Sequence, residues 1–419
     1  MDCFICSNAF DTSNHKPVVC CSHCGNTICS SCFVKCSFCP FCKNPVRKTP
    51  ILNRFLLDYL TSSSRCETNR LDRTVSKPVR LLDVGSFAIF YSSDPKAVYA
   101  RGCLSDISLD KAFTFSEPII EQSVGKGHCL FLSYVGNLYS MGVNTFGQLG
   151  TTDTNMRLEP VLIADLVTCI SAGAFHSAAI SHGRVFTWGC NQYSQLGIGR
   201  SSNRVLPVAA VLPSNLTFIS VACGYNFTVA LTKCGRVFSW LCDGTFLQRD
   251  YPVLVEGLEN VEYITTGWYH VIAICKTGKV YSWGRNDYGQ LGIGNSLDQC
   301  LPHTLNFSTP ITHLAAGNFH SIALDEKGTV FSWGCNESGQ LGLGEDFEED
   351  VLSPKAVTFS DSYQVVDVKA GCDFSIVVDS SQQLWVCGSN EYQQFPTNKD
   401  VLSGYNVLSF TKVLFENSY

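Results

Sequence analysis

GNFH at 317–320 and SWGCNESGQLGLG at 332–344 are the two halves of a unit that recurs along most of this 419-residue chain. The same unit reads GAFHSAAISHGRVFTWGCNQYSQLGIG at 173–199 and GWYHVIAICKTGKVYSWGRNDYGQLGIG at 267–294. Weaker copies begin at Gly125, Gly224 and Gly371, and a faint one at Gly85. The leading glycines define seven units, 40 to 54 residues apart. A period of that length points to a propeller or a solenoid, because one supersecondary unit cannot bury its apolar face alone.

Within a unit the apolar residues read as strands. Val185-Phe-Thr-Trp188, Val280-Tyr-Ser-Trp283 and Val330-Phe-Ser-Trp333 are β-branched and aromatic. Each follows a glycine turn (Gly183, Gly278, Gly328), which is a hairpin signal. Ser177–Ile180 and Ser321–Leu324 are small-to-apolar runs suited to a crowded inner strand. Runs starting at Pro160 and Pro252 suit an outer edge, where a missing N–H is harmless. Three to four strands per unit and seven units describe a mainly β, seven-bladed β-propeller over 78–419.

The motif Trp-Gly-x-Asn-x-x-x-Gln-Leu-Gly, at Trp188–Gly197, Trp283–Gly292 and Trp333–Gly342, resembles the regulator of chromosome condensation repeat family over roughly residues 80–415. The resemblance implies a closed seven-bladed ring. Met141 and Cys387 replace the Trp in two units, and the Gly224 unit lacks Gln-Leu-Gly. First and last units diverge, as expected where a ring closes. The tail 405–415 is expected to return and pair beside 78–82. His128, His176, His270 and His320 share one repeat position, which tempts a catalytic reading. Phe227 and Phe374 fill it elsewhere, so a packing or hydrogen-bonding post is the preferred one. Leu149, Leu196, Leu291 and Leu341 read as core between blades.

Of the 419 residues 45% are apolar and 16% charged, enough for one large core and a small second domain. No run of 18 apolar residues offers a membrane span, and a cysteine motif starting at Cys3 leaves no room for a signal peptide. The expected location is cytoplasmic or nuclear. Twenty-three cysteines in that setting imply thiols and metal sites rather than disulfides. Residues 1–80 carry a net +6 and the remainder −12. So acidic a propeller argues against nucleic acid as a partner. The run Glu345–Asp350 reads as a solvated loop between blades, with docking of a basic partner as the other reading.

Ten of the cysteines lie in the first 42 residues. Cys3-x2-Cys6, Cys21-x2-Cys24, Cys29-x2-Cys32 and Cys39-x2-Cys42 supply eight thiolates, enough for two tetrahedral Zn2+ ions. So short a segment has little apolar surface to bury, and structural zinc contributes about 10–16 kcal/mol in small fingers. The pattern resembles a RING-type finger over 1–48. That resemblance implies cross-bracing, with Cys3, Cys6, Cys29 and Cys32 on one ion and Cys21, Cys24, Cys39 and Cys42 on the other. Asn26 stands where a RING usually has its histidine. His15, Cys20, His23 and Cys36 are spare, and His23 or Cys20 could replace Cys21 or Cys24. The tract 21–32 has the spacing of a FYVE finger, but the basic phosphoinositide-reading patch is missing. Residues 49–77 read as a short helix, with Thr49-Pro50 at its start and Ile51, Leu52, Phe55, Leu56 and Tyr59 on one stripe, followed by a polar linker.

A RING finger has no nucleophile, so no catalytic residue is assigned. Its resemblance implies docking of a ubiquitin-conjugating enzyme through Ile5, Pro40 and Lys43. Ile5 as finger core, Pro40 as a turn residue and Lys43 as a solvated charge are the plainer readings. The propeller would recruit a protein substrate, making the whole a RING-type ubiquitin ligase. The alternatives are a zinc-finger and propeller scaffold without ligase activity, and a guanine-nucleotide exchange factor by analogy with the founding repeat protein. Fold alone does not transfer that last activity.

Overall fold

The computed structural model describes residues 17–19, 27–29, 51–52, 80–84, 87–94, 96–105, 107–240, 250–345, 349–359, 364–396 and 406–413. The chain divides into two units, Met1–Lys77 and Pro78–Tyr419.

In the first unit Pro17–Val19 is the middle strand of a three-stranded antiparallel sheet, flanked by Thr27–Cys29 and Ile51–Leu52. Val18 faces Ile28 on one side and Leu52 on the other. Ile51 and Leu52, read above as the start of a helical stripe, are therefore extended; β-branched Ile and Val at the pairing positions favour that choice. Thr49, Pro50, Phe55, Leu56 and Tyr59 lie outside the described residues.

The second unit is a ring of seven four-stranded antiparallel sheets, spanning 80–114, 119–164, 167–209, 218–254, 261–305, 311–356 and 365–413, numbered here as blades 1 to 7. Each blade runs outward in chain order. Blade 6 is representative: Ile311–Ala316 lines the axis, followed by His320–Asp325, Val330–Gly334 and the outer Val351–Ala356. All six residues of His320–Asp325 are buried, because neighbouring blades cover both faces of this second strand. That accounts for the small-to-apolar runs at 177–180 and 321–324, which are second from the axis rather than innermost. The proline-led runs are outermost, as their sequences require.

Blades are joined by a repeated polar staple set in apolar packing. The Gln290 carbonyl of blade 5 accepts from both Trp333 Nε1 (2.9 Å) and Ser321 Oγ (2.8 Å) of blade 6. Gln148 does the same for Trp188 (2.9 Å) and Ser177 (2.8 Å), and Gln195 for Trp240 (2.5 Å) and Thr228 (2.9 Å). Around these bonds each indole fills the seam. Trp333 packs with Ile272, Ile274 and Val280 of the preceding blade, and Trp188 with Leu130, Leu132 and Leu138. Leu149, Leu196, Leu291 and Leu341 are fully buried, as expected.

The ring closes differently from the expectation. The strand Asn406–Val413 pairs with Leu384–Ser389 of its own blade, and Arg80–Val84 pairs with Phe87–Asp94, so among the described residues no strand is shared across the seam. Closure is apolar: Val84, Ile89 and Tyr91 of blade 1 pack with Phe374, Ile376, Phe395 and Val407 of blade 7. The hydrogen bond from Arg101 Nε to the Gln393 carbonyl (3.0 Å) also crosses this seam. The tail is taken up instead as the outermost strand of its own blade, completing the four-stranded sheet that Val365–Ala370, Phe374–Asp379 and Leu384–Ser389 begin. Residues 405, 414–415 and the faint Gly85 lie outside the described set.

Four of the leading glycines are fixed by space rather than by backbone angle. A Cβ on Gly317 would stand 2.2 Å from His320 Cε1 and 2.5 Å from the Gly371 carbonyl oxygen. The imidazole could swing away, but the neighbouring blade's backbone could not. Gly317→Ala should lower stability by roughly 3 kcal/mol, the upper range for overpacking. Removing the ring with His320→Ala should not restore it, a result that urea unfolding of the double variant checks.

Candidate functional site

Strands alternate in direction, so the turn after the first strand and the loop after the third emerge at one end of the ring. The third loop carries Asn-x-x-x-Gln-Leu-Gly and is braced from within. In blade 5, Asn286 Oδ1 accepts from Leu291 N (2.9 Å) and Gln290 Oε1 from Tyr288 N (3.0 Å). The same two bonds recur at Asn144 and Gln148, at Asn191 and Gln195, and at Asn336 and Gln340. The motif is thus a rigid mount, and the two residues after each Asn are exposed or partly exposed on it, while the third is buried.

What this end displays is an aromatic belt. Phe146 meets Phe175 (ring centroids 5.4 Å apart), Phe175 meets Tyr225 (5.9 Å) and Tyr225 meets Trp268 (5.0 Å). Trp268 meets Phe319 (5.7 Å), and Phe319 meets Tyr288 (4.9 Å). These rings come from blades 2 to 6 and are all partly exposed. Two cations already sit on them. Lys126 Nζ lies over Phe175 and Tyr225 (5.7 and 5.8 Å), and the Arg285 guanidinium over Tyr269 and Phe319 (5.5 and 5.9 Å). Arg285 also pairs with Asp287. The belt was legible in the turns GAFH, GYNF, GWYH and GNFH, whose middle residues are aromatic, once those positions are known to face outward.

Beyond Phe319 the belt gives way to carboxylates. Asn318 N donates to the Cys372 carbonyl (3.1 Å), which places the blade 6 turn beside Asp373. Burial, followed by the nearby Glu337 and Glu391 charges, pushes the Asp373 carboxyl up to about 6. None of the ion pairs among the described residues includes these three groups. Glu345, Glu349 and Asp350 belong to the third loop of the same blade 6, not to a link between blades as the sequence suggested, and residues 346–348 lie outside the described set.

The first strands enclose a central channel of about 580 Å³, walled by backbone and small side chains such as Ser123, Ser171 and Ala172. The four repeat histidines do not reach it. His128, His176, His270 and His320 are wholly buried, and Nε2 of each meets a hydroxyl of the next blade: Ser177 (2.8 Å), Thr228 (2.9 Å), Ser321 (2.9 Å) and Ser375 (2.9 Å). Each of those hydroxyls spends its proton on a Gln carbonyl, so the imidazole must be the donor through Nε2–H. Burial holds all four at about 3, neutral at any physiological pH. They are posts, as the Phe replacements indicated.

Of the expected zinc ligands, Cys29 ends the strand Thr27–Cys29, and Cys3, Cys6, Cys21, Cys24, Cys32, Cys39 and Cys42 lie outside the described residues, as do Ile5, Pro40 and Lys43. Val19 pairs with Thr27, so the span 20–26 that carries Cys21-x2-Cys24 connects two paired strands. Among the described residues no group of three His, Cys, Asp or Glu side chains is arranged to hold a metal, and no helix is long and apolar enough to cross a membrane.

A seven-bladed ring with internally braced third loops and an aromatic loop face defines a repeat propeller of the chromosome-condensation-regulator type. The chain belongs to the RCC1-like domain family, which matches residues 102–414. It is 34% identical over 197 residues to the ultraviolet-B receptor UVR8 of Arabidopsis thaliana, covering 44% of this chain and 45% of that protein. It is 35% identical over 194 residues to the human E3 ubiquitin-protein ligase HERC2, covering 42% of this chain and 4% of that one. The matches thus span less than half the length of these relatives. Among solved structures, Prp20p of Saccharomyces cerevisiae superposes with a TM-score of 0.66 at 22% identity, over 81% of this chain and 88% of that one, and shares the fold.

Proposed function

We propose that this protein is a RING-type ubiquitin ligase, in which a two-zinc amino-terminal finger docks a ubiquitin-conjugating enzyme and the propeller presents a protein substrate. The carrying observation is the series of four Cys-x2-Cys pairs in residues 3–42. The paired strands that bracket Cys21 and Cys24, with Cys29 on the returning strand, support it, because a knuckle between antiparallel strands suits thiolate ligation. Zinc would rigidify the finger; Ile5 and Pro40 would meet the conjugating enzyme, and Lys43 would bridge it to ubiquitin. Catalysis would then rest on positioning alone, without a nucleophile from this chain. A relative, human HERC2, is itself an E3 ubiquitin-protein ligase, which supports the pairing of such a propeller with ubiquitin ligation.

The test is autoubiquitination of the full chain with a panel of conjugating enzymes, with zinc counted by native mass spectrometry. Two ions and activity that Ile5→Ala lowers at least tenfold are expected. Equal silence of wild type and Ile5→Ala with zinc bound would leave a scaffold in place of a ligase.

A further inference from the structure

The loop face combines two features that favour the same kind of visitor. Aromatic faces attract cations, most strongly the indole, and the guanidinium group is the cation they take best. Lys126 and Arg285 occupy the faces of Phe175, Tyr225, Tyr269 and Phe319, which shows the belt already used in this way. No described cation lies over Trp268, the largest ring and the one at the middle of the belt. One turn further round the ring, Glu337, Asp373 and Glu391 form a carboxylate cluster with no ion-pair partner among the described residues. Asp373 feels that crowding, since burial and the two glutamates hold its proton to about pH 6. A guanidinium placed there would relieve the repulsion and lose little hydration.

We infer that the loop face, from Trp268 across Phe319 to Asp373, is a docking surface for an arginine-containing, partly apolar segment of a partner protein. One arginine would stack on Trp268, apolar side chains would cover Phe319 and Tyr225, and a second cation would meet Glu337, Asp373 and Glu391. This rests on the reading of the propeller as the substrate-presenting half but needs neither zinc nor a conjugating enzyme. The net charge of −12 over residues 81–419 draws such a segment in.

The probe is a synthetic decapeptide alternating arginine and leucine, titrated calorimetrically into the full chain at physiological salt, beside the same peptide with glutamate for arginine. Binding of the first and none of the second is expected. Trp268→Ala, which removes a partly exposed ring, should weaken binding at least tenfold, and so should the triple variant Glu337→Gln, Asp373→Asn, Glu391→Gln. The control Glu256→Gln, Glu259→Gln, Glu262→Gln, at the opposite end of the ring, should change it less than twofold. Equal loss in the control would mean non-specific charge attraction and overturn the proposal. Tighter binding of the glutamate peptide would overturn it in favour of an acidic partner. Failure of both peptides, with self-association that Trp268→Ala abolishes, would assign the face to a second copy of this chain. Because binding is read directly, a silent ligase assay leaves this result standing, and the reverse holds too.

Discussion

Taking the protein from pH 7.5 to pH 5 should remove about 8 kcal/mol of propeller stability through four side chains, about 2 kcal/mol from each. His128, His176, His270 and His320 are held near 3 in the fold by burial and return to 6.5 when the chain unfolds. A depressed folded value means the unfolded chain takes up the proton first. The contribution is therefore complete above pH 6.5 and drains away as the pH falls toward 3. Asp373 works in the opposite sense, because its raised value relieves about 1 kcal/mol on acidification. What remains rivals the total stability of an ordinary domain, roughly 5–15 kcal/mol. Calorimetric melts between pH 7.5 and 5 should show the transition collapsing well before most carboxylates titrate. The double variant His320→Phe, Ser375→Val gives the internal check. It should fold, since blade 4 carries Phe227 opposite Val271 at the same positions, and should lower the pH 5 loss by about 2 kcal/mol. Ser375→Val alone strands the buried imidazole N–H and should cost about 1–3 kcal/mol. A melt that holds steady to pH 5 would mean the histidines are not neutral posts.

That pairing shows what the sequence held and where reading it stopped. Every histidine at the repeat position is followed, one blade on, by a hydroxyl: Ser177, Thr228, Ser321 or Ser375. Where the position holds Phe227, Phe374 or Ala88, the next blade offers Val271, Ile89 or Cys129 instead. The correlation is written in the repeats, but it connects residues about 50 apart and appears only when consecutive units are compared rather than aligned on one another. The blade count, the outer edge strands and the buried leucines were legible because they follow from local period and turn chemistry. Ring closure was not. A shared strand and an apolar seam are both compatible with a divergent first unit, and the choice depends on whether 406–413 finds its partner in Leu384–Ser389, which is a tertiary matter. The belt escaped notice for a related reason. Aromatic residues beside a glycine turn read equally well as core until the turn is known to lie on the open end of the ring.

Trp333→Ala should be the most damaging single truncation, about 3–5 kcal/mol, because it empties a fully buried indole site between blades 5 and 6. The informative comparison is between two milder changes. Trp333→Phe loses the bond from Nε1 to the Gln290 carbonyl, about 1 kcal/mol, together with some packing. Trp283 is equally buried, yet its Nε1 has no hydrogen-bond partner among the described residues. The Gly224 unit lacks the Gln-Leu-Gly whose Gln main-chain carbonyl serves the stapled indoles, and its third loop, 241–249, lies outside the described residues. An unmet buried N–H costs about 1–3 kcal/mol, and Trp283→Phe removes it while keeping an aromatic ring against Val229, Leu231 and Val237. Urea unfolding should thus rank Trp283→Phe near wild type and at least about 1 kcal/mol above Trp333→Phe. The blade 4–5 seam, with Phe227 against Val271 and an indole that has no hydrogen-bond partner among the described residues, would then be held by apolar contact where its neighbours on either side are stapled. If both substitutions cost the same, the carbonyl staple contributes nothing measurable, and shape alone orders the ring.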